Sequence, residues 1–367
     1  MMNKTFSIYV HIPFCQSKCI YCDFASFVVP EDKVKKYFDA LCQEIERCEF
    51  SGKAKTVYFG GGTPSCVDAE NIERVLLKLK EKFDFDEACE ISIECNPASA
   101  DKSKLERYRK MGINRISFGV QSLNDNQLAF LGRRHKSVDA LESIALAKEV
   151  GFENISADLL LGLPKSSASE ICEFCGRLIE SGVTHISAYM LQVEEGTPLA
   201  KMVGQGKAIL PSDDMTADIY EKVTNKLDEN NFERYEISNF AKKGFECKHN
   251  LAYWQGKDYL GFGLGAVGCE NGVRKMNGKT FDDYYDGKSY QEKLTLQEQI
   301  EEIIMLGLRT KYGFEIEKLK ALGYNISKND NYKKFLSQGI IKEKDGFVAI
   351  NKNYFGVSNE IIVKLFP

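Results

Sequence analysis

An α/β fold organised around a parallel sheet is predicted by three features of this 367-residue chain. The first half alternates short β-rich runs with longer amphipathic stretches. Glycines stand where several helical patterns end, as a left-handed cap requires. Alternation of this kind makes βαβ units, whose right-handed crossovers lay successive strands parallel.

The strand-like runs cover 7–12, 56–59, 90–94, 115–120, 155–161 and 185–191, each rich in Ile, Val, Phe or Tyr. Between them, helical patterns span 31–49, 69–82, 102–110, 138–149 and 168–180, with Gly112, Gly151 and Gly182 at helix exits. Six units in about 190 residues suit a doubly wound sheet or an incomplete (β/α) barrel, and periodicity does not decide between them. Residues 197–288 are less regular, with one clear helix over 215–230 and a Gly- and aromatic-rich stretch over 235–285. The last 75 or so residues read as helices at 297–308, 316–322 and 332–337. A hairpin then turns at Asp345-Gly346, and a final helix covers 359–365. Three helices plus a hairpin resemble a winged helix. The mixed charges there favour packing against the main domain over binding nucleic acid.

Composition narrows the class. Hydrophobic residues make up 43% and charged residues 28%, which excludes disordered, collagen-like and coiled-coil chains. A net charge of −4 argues against a strongly basic nucleic-acid binder. No apolar run reaches the roughly 18 residues of a membrane span. The opening residues lack the pattern of a signal peptide, so a cytoplasmic location is expected. Twelve cysteines in a reducing compartment are not expected to form a disulfide framework.

Only Cys15, Cys19 and Cys22 cluster tightly, directly after the first strand. Three thiolates within eight residues can ligate one soft metal centre, zinc or iron–sulfur. Zinc normally takes a fourth ligand, for which His11 is the only nearby candidate. A [4Fe–4S] cube held by three cysteines leaves one iron open to a small chelating molecule. Cys172 and Cys175 share a helix face without a second pair, and read as buried thiols. Phe59-Gly60-Gly61-Gly62-Thr63-Pro64 follows the second strand, and its glycines let the backbone approach a ligand. Glu94 and Gln121 end the third and fourth strands, Arg133 follows the next helix, and Asp158 interrupts an apolar strand. An unpaired charge there is costly.

The C-x3-C-x2-C spacing with Tyr21 before the last cysteine, followed by the Gly60 loop, resembles the radical S-adenosylmethionine (SAM) superfamily. Five segments carry a closer likeness: Tyr9-Val-His-Ile-Pro-Phe-Cys15, the Gly60 loop, Arg115-Ile-Ser-Phe-Gly-Val-Gln-Ser122, Asp158-Leu-Leu-Leu-Gly-Leu-Pro164 and Tyr235-Glu-Ile-Ser-Asn-Phe-Ala241. Together they resemble the coproporphyrinogen III oxidase-like group over nearly the whole chain. Oxidases of that group have a cysteine two residues after the last cluster cysteine. Phe24 stands there, and so the chain looks like the HemW-type branch of heme chaperones. Cys247-Lys-His249-Asn250-Leu-Ala-Tyr253-Trp254 matches the H-N-x-x-Y pattern this branch associates with heme. Val267 departs from the branch, whose members usually have a histidine in that glycine-rich stretch.

The resemblance implies a partial (β/α)6 TIM-like barrel over 1–205, a connecting region over 206–290 bearing the heme-contact motif, and a small C-terminal helical, winged-helix-like domain over 291–367. It implies a [4Fe–4S] cluster on Cys15, Cys19 and Cys22. SAM would be held by Gly61, Gly62 and Thr63 together with Glu94, Gln121, Arg133 and Asp158, with Tyr9 and Tyr21 as further cofactor contacts. His249 is the implied heme contact, with Tyr253 and Trp254 on the porphyrin face. The implied partners are heme and heme-receiving apo-proteins, some of them respiratory and membrane-bound, and a homodimer is compatible. The alternative activity is oxygen-independent oxidation of coproporphyrinogen III to protoporphyrinogen IX.

Overall fold

The computed structural model describes residues 4–367. Six strands, β1 (Thr5–Ile12), β2 (Lys53–Gly61), β3 (Asp84–Cys95), β4 (Arg115–Gln121), β5 (Asn154–Leu161) and β6 (His185–Met190), are parallel and lie side by side in chain order. A doubly wound sheet reverses its strand order at a switch point. Here the order never reverses, so every crossover runs the same way and the sheet curls as a barrel does.

The crossovers carry α1 (Glu31–Arg47), α2 (Ala69–Lys82), α3 (Lys102–Met111), α4 (Asp125–Leu131), α5 (Ser137–Glu149) and α6 (Ala168–Ser181). Their apolar stripes face the sheet, as with Tyr37, Phe38, Leu41 and Ile45 of α1. Asp101 and Ser167 cap the first turns of α3 and α6 through backbone N–H groups. Gly112 and Gly182 close the same helices at φ 102° and 92°.

Strands β1 and β6 do not pair with each other. After α7 (Pro198–Gly204) and α8 (Asp213–Asp228), the antiparallel pair β7 (Glu233–Arg234) and β8 (Asn239–Ala241) lies along β6. Next come α9 (Lys248–Trp254), β9 (Tyr259–Phe262), β10 (Val267–Glu270), β11 (Val273–Asn277), α10 (Phe281–Tyr285) and β12 (Ser289–Lys293). Strand β9 is parallel to β1, and β10–β12 continue outward from it. The result is one sheet of twelve strands with two free edges.

Helix α11 (Leu296–Leu308) opens the C-terminal unit, with a capping box at Thr295 and Glu298. Strand β13 (Phe314–Glu315), α12 (Ile316–Ala321), α13 (Asp330–Ser337), the hairpin β14 (Ile341–Lys344) and β15 (Phe347–Ile350), and α14 (Ser358–Lys364) complete it. The three strands form a separate sheet, and Ile304, Leu308, Leu319 and Val348 sit in a second hydrophobic core. Among the described residues, no helix is long and apolar enough to cross a membrane.

Candidate functional site

The strands of the half-barrel are buried on both faces, and alternation sorts their side chains by layer. On β4, Ile116, Phe118 and Val120 join the hydrophobic core beneath the helices. The alternate set is polar: Arg115, Ser117, Gly119, Gln121. Its neighbours repeat the pattern with Thr56 and Tyr58, Ser92 and Glu94, Ser156 and Asp158, His185 and Ser187. The barrel interior is therefore polar and hydrogen-bonded. Ser117 donates to Asp158, Tyr58 donates to Glu94 at 2.8 Å, and the His185 ring meets Ser156 and Tyr235 at 2.7 and 2.8 Å.

At the carboxyl ends of the strands, the loop after β1 carries Cys15, Cys19 and Cys22, all half-buried free thiols. Burial and the neighbouring Cys19 and Cys15 raise the pKa of Cys22 against its backbone and lysine contacts. A polar chain ties two of the thiols to the strand ends. Cys15 Sγ lies 3.5 Å from Thr63 Oγ1, and Asn96 Nδ2 donates to that same oxygen at 3.2 Å. Arg133 donates through Nη2 to Asn96 Oδ1 at 2.6 Å and to the Gly119 carbonyl, and its Nη1 reaches Cys19 Sγ at 3.6 Å. The donor set is soft and three in number, which fits an iron–sulfur cube with one open iron. Among the described residues no three Cys, His, Asp or Glu side chains converge on one ion, so the three thiols are not drawn together as the ligands of a mononuclear zinc site would be.

Gln121 closes β4 in the left-handed region at φ 66°, which places its amide beside the Arg133 guanidinium over Gly119. Tyr21 packs on Leu131, Leu160 and Leu163, and burial holds its phenol protonated beside Arg133 and Cys19. Thus Cys15, Cys19, Cys22, Tyr21, Thr63, Gln121 and Arg133 gather at one end.

Gly61 and Gly62 are demanded by the chain itself. A Cβ on Gly61 meets the His11 ring at 2.4 Å, on a backbone at φ 115°, and one on Gly62 meets the Phe14 carbonyl oxygen at 2.6 Å. Gly61→Ala is therefore expected to cost about 2–4 kcal/mol of stability, read as a fall in the urea midpoint. An unchanged midpoint would show that His11 yields freely.

One layer below stand Tyr9, Glu94 and Asp158. The Tyr9 hydroxyl meets His11 Nδ1 at 2.9 Å, and His11 Nε2 meets the Ala25 carbonyl at 2.9 Å. Glu94 accepts from Tyr58 and from the Gly61 N–H, yet burial pushes its carboxyl from 4.5 up to about 7, with Asp158 adding repulsion. Burial likewise raises Asp158, opposed by Ser187 and Arg115. Because the folded state binds the Glu94 proton more tightly, stability falls as pH rises from about 4.5 to 7. Glu236, raised to about 7 by burial, adds a slope of the same sign. Glu94→Gln should flatten its share of that slope in urea titrations at pH 5 and 7.5, and an unaltered slope would assign it elsewhere.

His249 lies deeper, 1% exposed, with Nδ1 on Thr56 Oγ1 at 2.7 Å and Nε2 on the Tyr253 hydroxyl at 2.8 Å. Its ring stacks on Tyr58 at 5.0 Å. Burial, then Arg115, lowers its pKa to about 3, so the ring is neutral. Both nitrogens being engaged, iron reaches His249 only by displacing one of these bonds. Tyr253 and Trp254, by contrast, line a cavity of about 1180 Å3 that also touches Tyr9, Gly61 and Glu94.

Two residues escaped sequence reasoning. Asn96 bridges Thr63 and Arg133, and its only signal was an Asn-Pro step after a strand. Arg115, 2% exposed at the barrel centre, has an Nε without a hydrogen-bond partner among the described residues, as has the Oγ of Ser92, its cross-strand neighbour. Its signal was the polar–apolar alternation of a strand buried on both sides. His135 is buried, with Nε2 3.1 Å from the Val120 carbonyl.

A family model for the radical SAM superfamily matches residues 9–178. The chain is 36% identical over 325 residues to the heme chaperone HemW of Lactococcus lactis subsp. lactis, covering 87% of this chain and 86% of that protein. It is 38% identical to the heme chaperone HemW of Bacillus subtilis, covering 84% of each. The fold is that of coproporphyrinogen III oxidase (HemN) from Escherichia coli, a radical SAM enzyme, at a TM-score of 0.85 and 23% identity, covering 99% of this chain and 90% of that one.

Proposed function

Because the chain belongs to the HemW branch of the radical SAM superfamily, we propose that it is a heme chaperone, taking heme as cargo and passing it to apo-proteins. A [4Fe–4S] cluster on Cys15, Cys19 and Cys22 and SAM across the strand ends are its resident cofactors. The observation that carries this reading is the shared cavity. Tyr9, Gly61 and Glu94 from the cofactor end and Tyr253 and Trp254 from the H-N-x-x-Y segment form parts of one wall.

Held by Cys15, Cys19 and Cys22, a [4Fe–4S] cluster would supply one-electron reduction to SAM bound at the strand ends. The chain's own residues do the holding. Arg133 sets Cys19 and offers its cation to a carboxylate, and Gln121 offers an amide beside it. Thr63 and Asn96 fix Cys15, while Glu94 is an acceptor for an ammonium or a ribose hydroxyl. Asp158 and Ser117 carry the polar floor beneath. His249 fixes the Tyr253 hydroxyl at the cavity wall. Recipients of the respiratory chain would bring the protein to a membrane surface from a cytoplasmic location.

Purified chain given hemin should develop a Soret band of one heme per chain. Supplied instead with coproporphyrinogen III, SAM and a reductant, reconstituted protein should form no protoporphyrinogen. Turnover in that assay would transfer the assignment to the oxidase.

A further inference from the structure

Both polar contacts to the cysteine sulfurs trace back to one side chain. Asn96 directly follows β3 and is half-buried. Its backbone is extended, at φ −86° and ψ 138°, the region that the following Pro97 imposes. Its N–H donates to Ser65 Oγ at 3.0 Å, and its carbonyl accepts from Ser99 Oγ at 2.8 Å. With the backbone fixed on both sides, the side-chain amide stands between Thr63 and Arg133.

Donor and acceptor chemistry sets the direction of each bond. A guanidinium only donates, so the Asn96 oxygen faces Arg133 and the nitrogen faces Thr63. The amide nitrogen also only donates, so Thr63 Oγ1 accepts from it. The Thr63 hydroxyl proton is left for another acceptor, and Cys15 Sγ lies 3.5 Å away. A metal-bound cysteine is a thiolate with no proton to give, so in the loaded protein that bond runs from Thr63 to sulfur. On the other side, Arg133 Nη2 is held between Asn96 Oδ1 and the Gly119 carbonyl, which leaves Nη1 on Cys19 Sγ at 3.6 Å. Gly119 makes room for this pair: a Cβ there would stand 3.1 Å from Arg133 Nη2 and 3.4 Å from Asn96 Oδ1.

A hydrogen bond to a cysteine sulfur stabilises the extra negative charge of a reduced iron–sulfur centre and so raises its reduction potential. We propose that Asn96 is a positioning residue for the cluster: its amide orients the Thr63 hydroxyl onto Cys15 and the Arg133 guanidinium onto Cys19, and thereby sets the potential at which the cluster takes up an electron. This rests on the cluster assignment above. Asn96→Asp separates the two bonds. A carboxylate only accepts, so it keeps the Arg133 contact and draws the Thr63 proton away from Cys15.

The test is the midpoint potential of anaerobically reconstituted full-length protein, followed through the paramagnetic signal of the reduced cluster, with iron and sulfide counted beside it. Thr63→Val keeps the side-chain shape and removes the hydroxyl. It should lower the potential by about 59 mV or more, which is a tenfold shift of a one-electron equilibrium. Asn96→Asp should lower it further, because its negative charge adds to the loss of the same bond. In Thr63→Val/Asn96→Asp that bond is lost once, so the shift should equal that of Asn96→Asp alone. A double-variant shift equal to the sum of the two single ones, an unchanged potential in Thr63→Val, or loss of iron from Asn96→Asp overturns the positioning role and leaves the cluster assignment standing. Wild-type protein that takes up no iron and sulfide overturns both.

Discussion

Replacing any one of Cys15, Cys19 and Cys22 with serine is expected to abolish the cluster, taking anaerobically reconstituted protein from about four irons and four sulfides per chain to near none. The expectation follows from the donor count. The loop holds three half-buried thiols, one for each of three irons of a cube. A cube already one protein ligand short has no reserve. Serine keeps the size and loses the soft donor. Burial, and then the neighbouring Cys15, push the Cys66 thiol up to about 12, so it is a poor replacement donor. Cys66→Ser therefore serves as the control and should keep its iron. Stoichiometric zinc without sulfide in the wild-type protein would remove the redox reading altogether.

The second large effect is on stability. Arg115→Leu should cost about 3–5 kcal/mol, because it leaves buried carboxylates without their compensating cation. Arg115 sits at the centre of the half-barrel. Its charge lowers the pKa of Asp158 and Glu94 against their burial, and the Glu90 carboxylate is a partner in its field. Glu90 in turn accepts the backbone N–H groups of Lys248 and His249 at 3.2 and 3.1 Å, so it anchors the first turn of α9. Loss of the cation should thus loosen α9 as well as the core. Hydrogen exchange at Lys248–Trp254 would report this ahead of global unfolding. A urea midpoint equal to wild type would mean that interior water already compensates the guanidinium.

Much of this was legible beforehand, and the reasons differ by element. Helix α2 occupies the span its periodicity marks, 69–82, because its apolar stripe is uninterrupted. Gly112 and Gly182 announced helix ends because few other residues take a left-handed cap cheaply. The cysteine loop was legible because its chemistry is local. The strands over 233–293 were not, being two to five residues long and held by neighbours far away in sequence, as β9 is by β1. Nor was the setting of His249. Nothing in its own segment shows that Thr56, 193 residues earlier, occupies one ring nitrogen. Arg115 was hidden for a different reason: a polar barrel interior and a solvated sheet face produce the same alternation.

The open curl of the main sheet also bears on how the molecule behaves in a crowded solution. A closed barrel has no margins, whereas this sheet has two, each a row of unsatisfied amide and carbonyl groups able to template another chain. One margin is β7, only two residues long. The other is β12, Ser-Tyr-Gln-Glu-Lys, exposed at every position and charged at its end. A short margin and a charged one are poor templates, so the open sheet is guarded against edge-to-edge pairing along both rims.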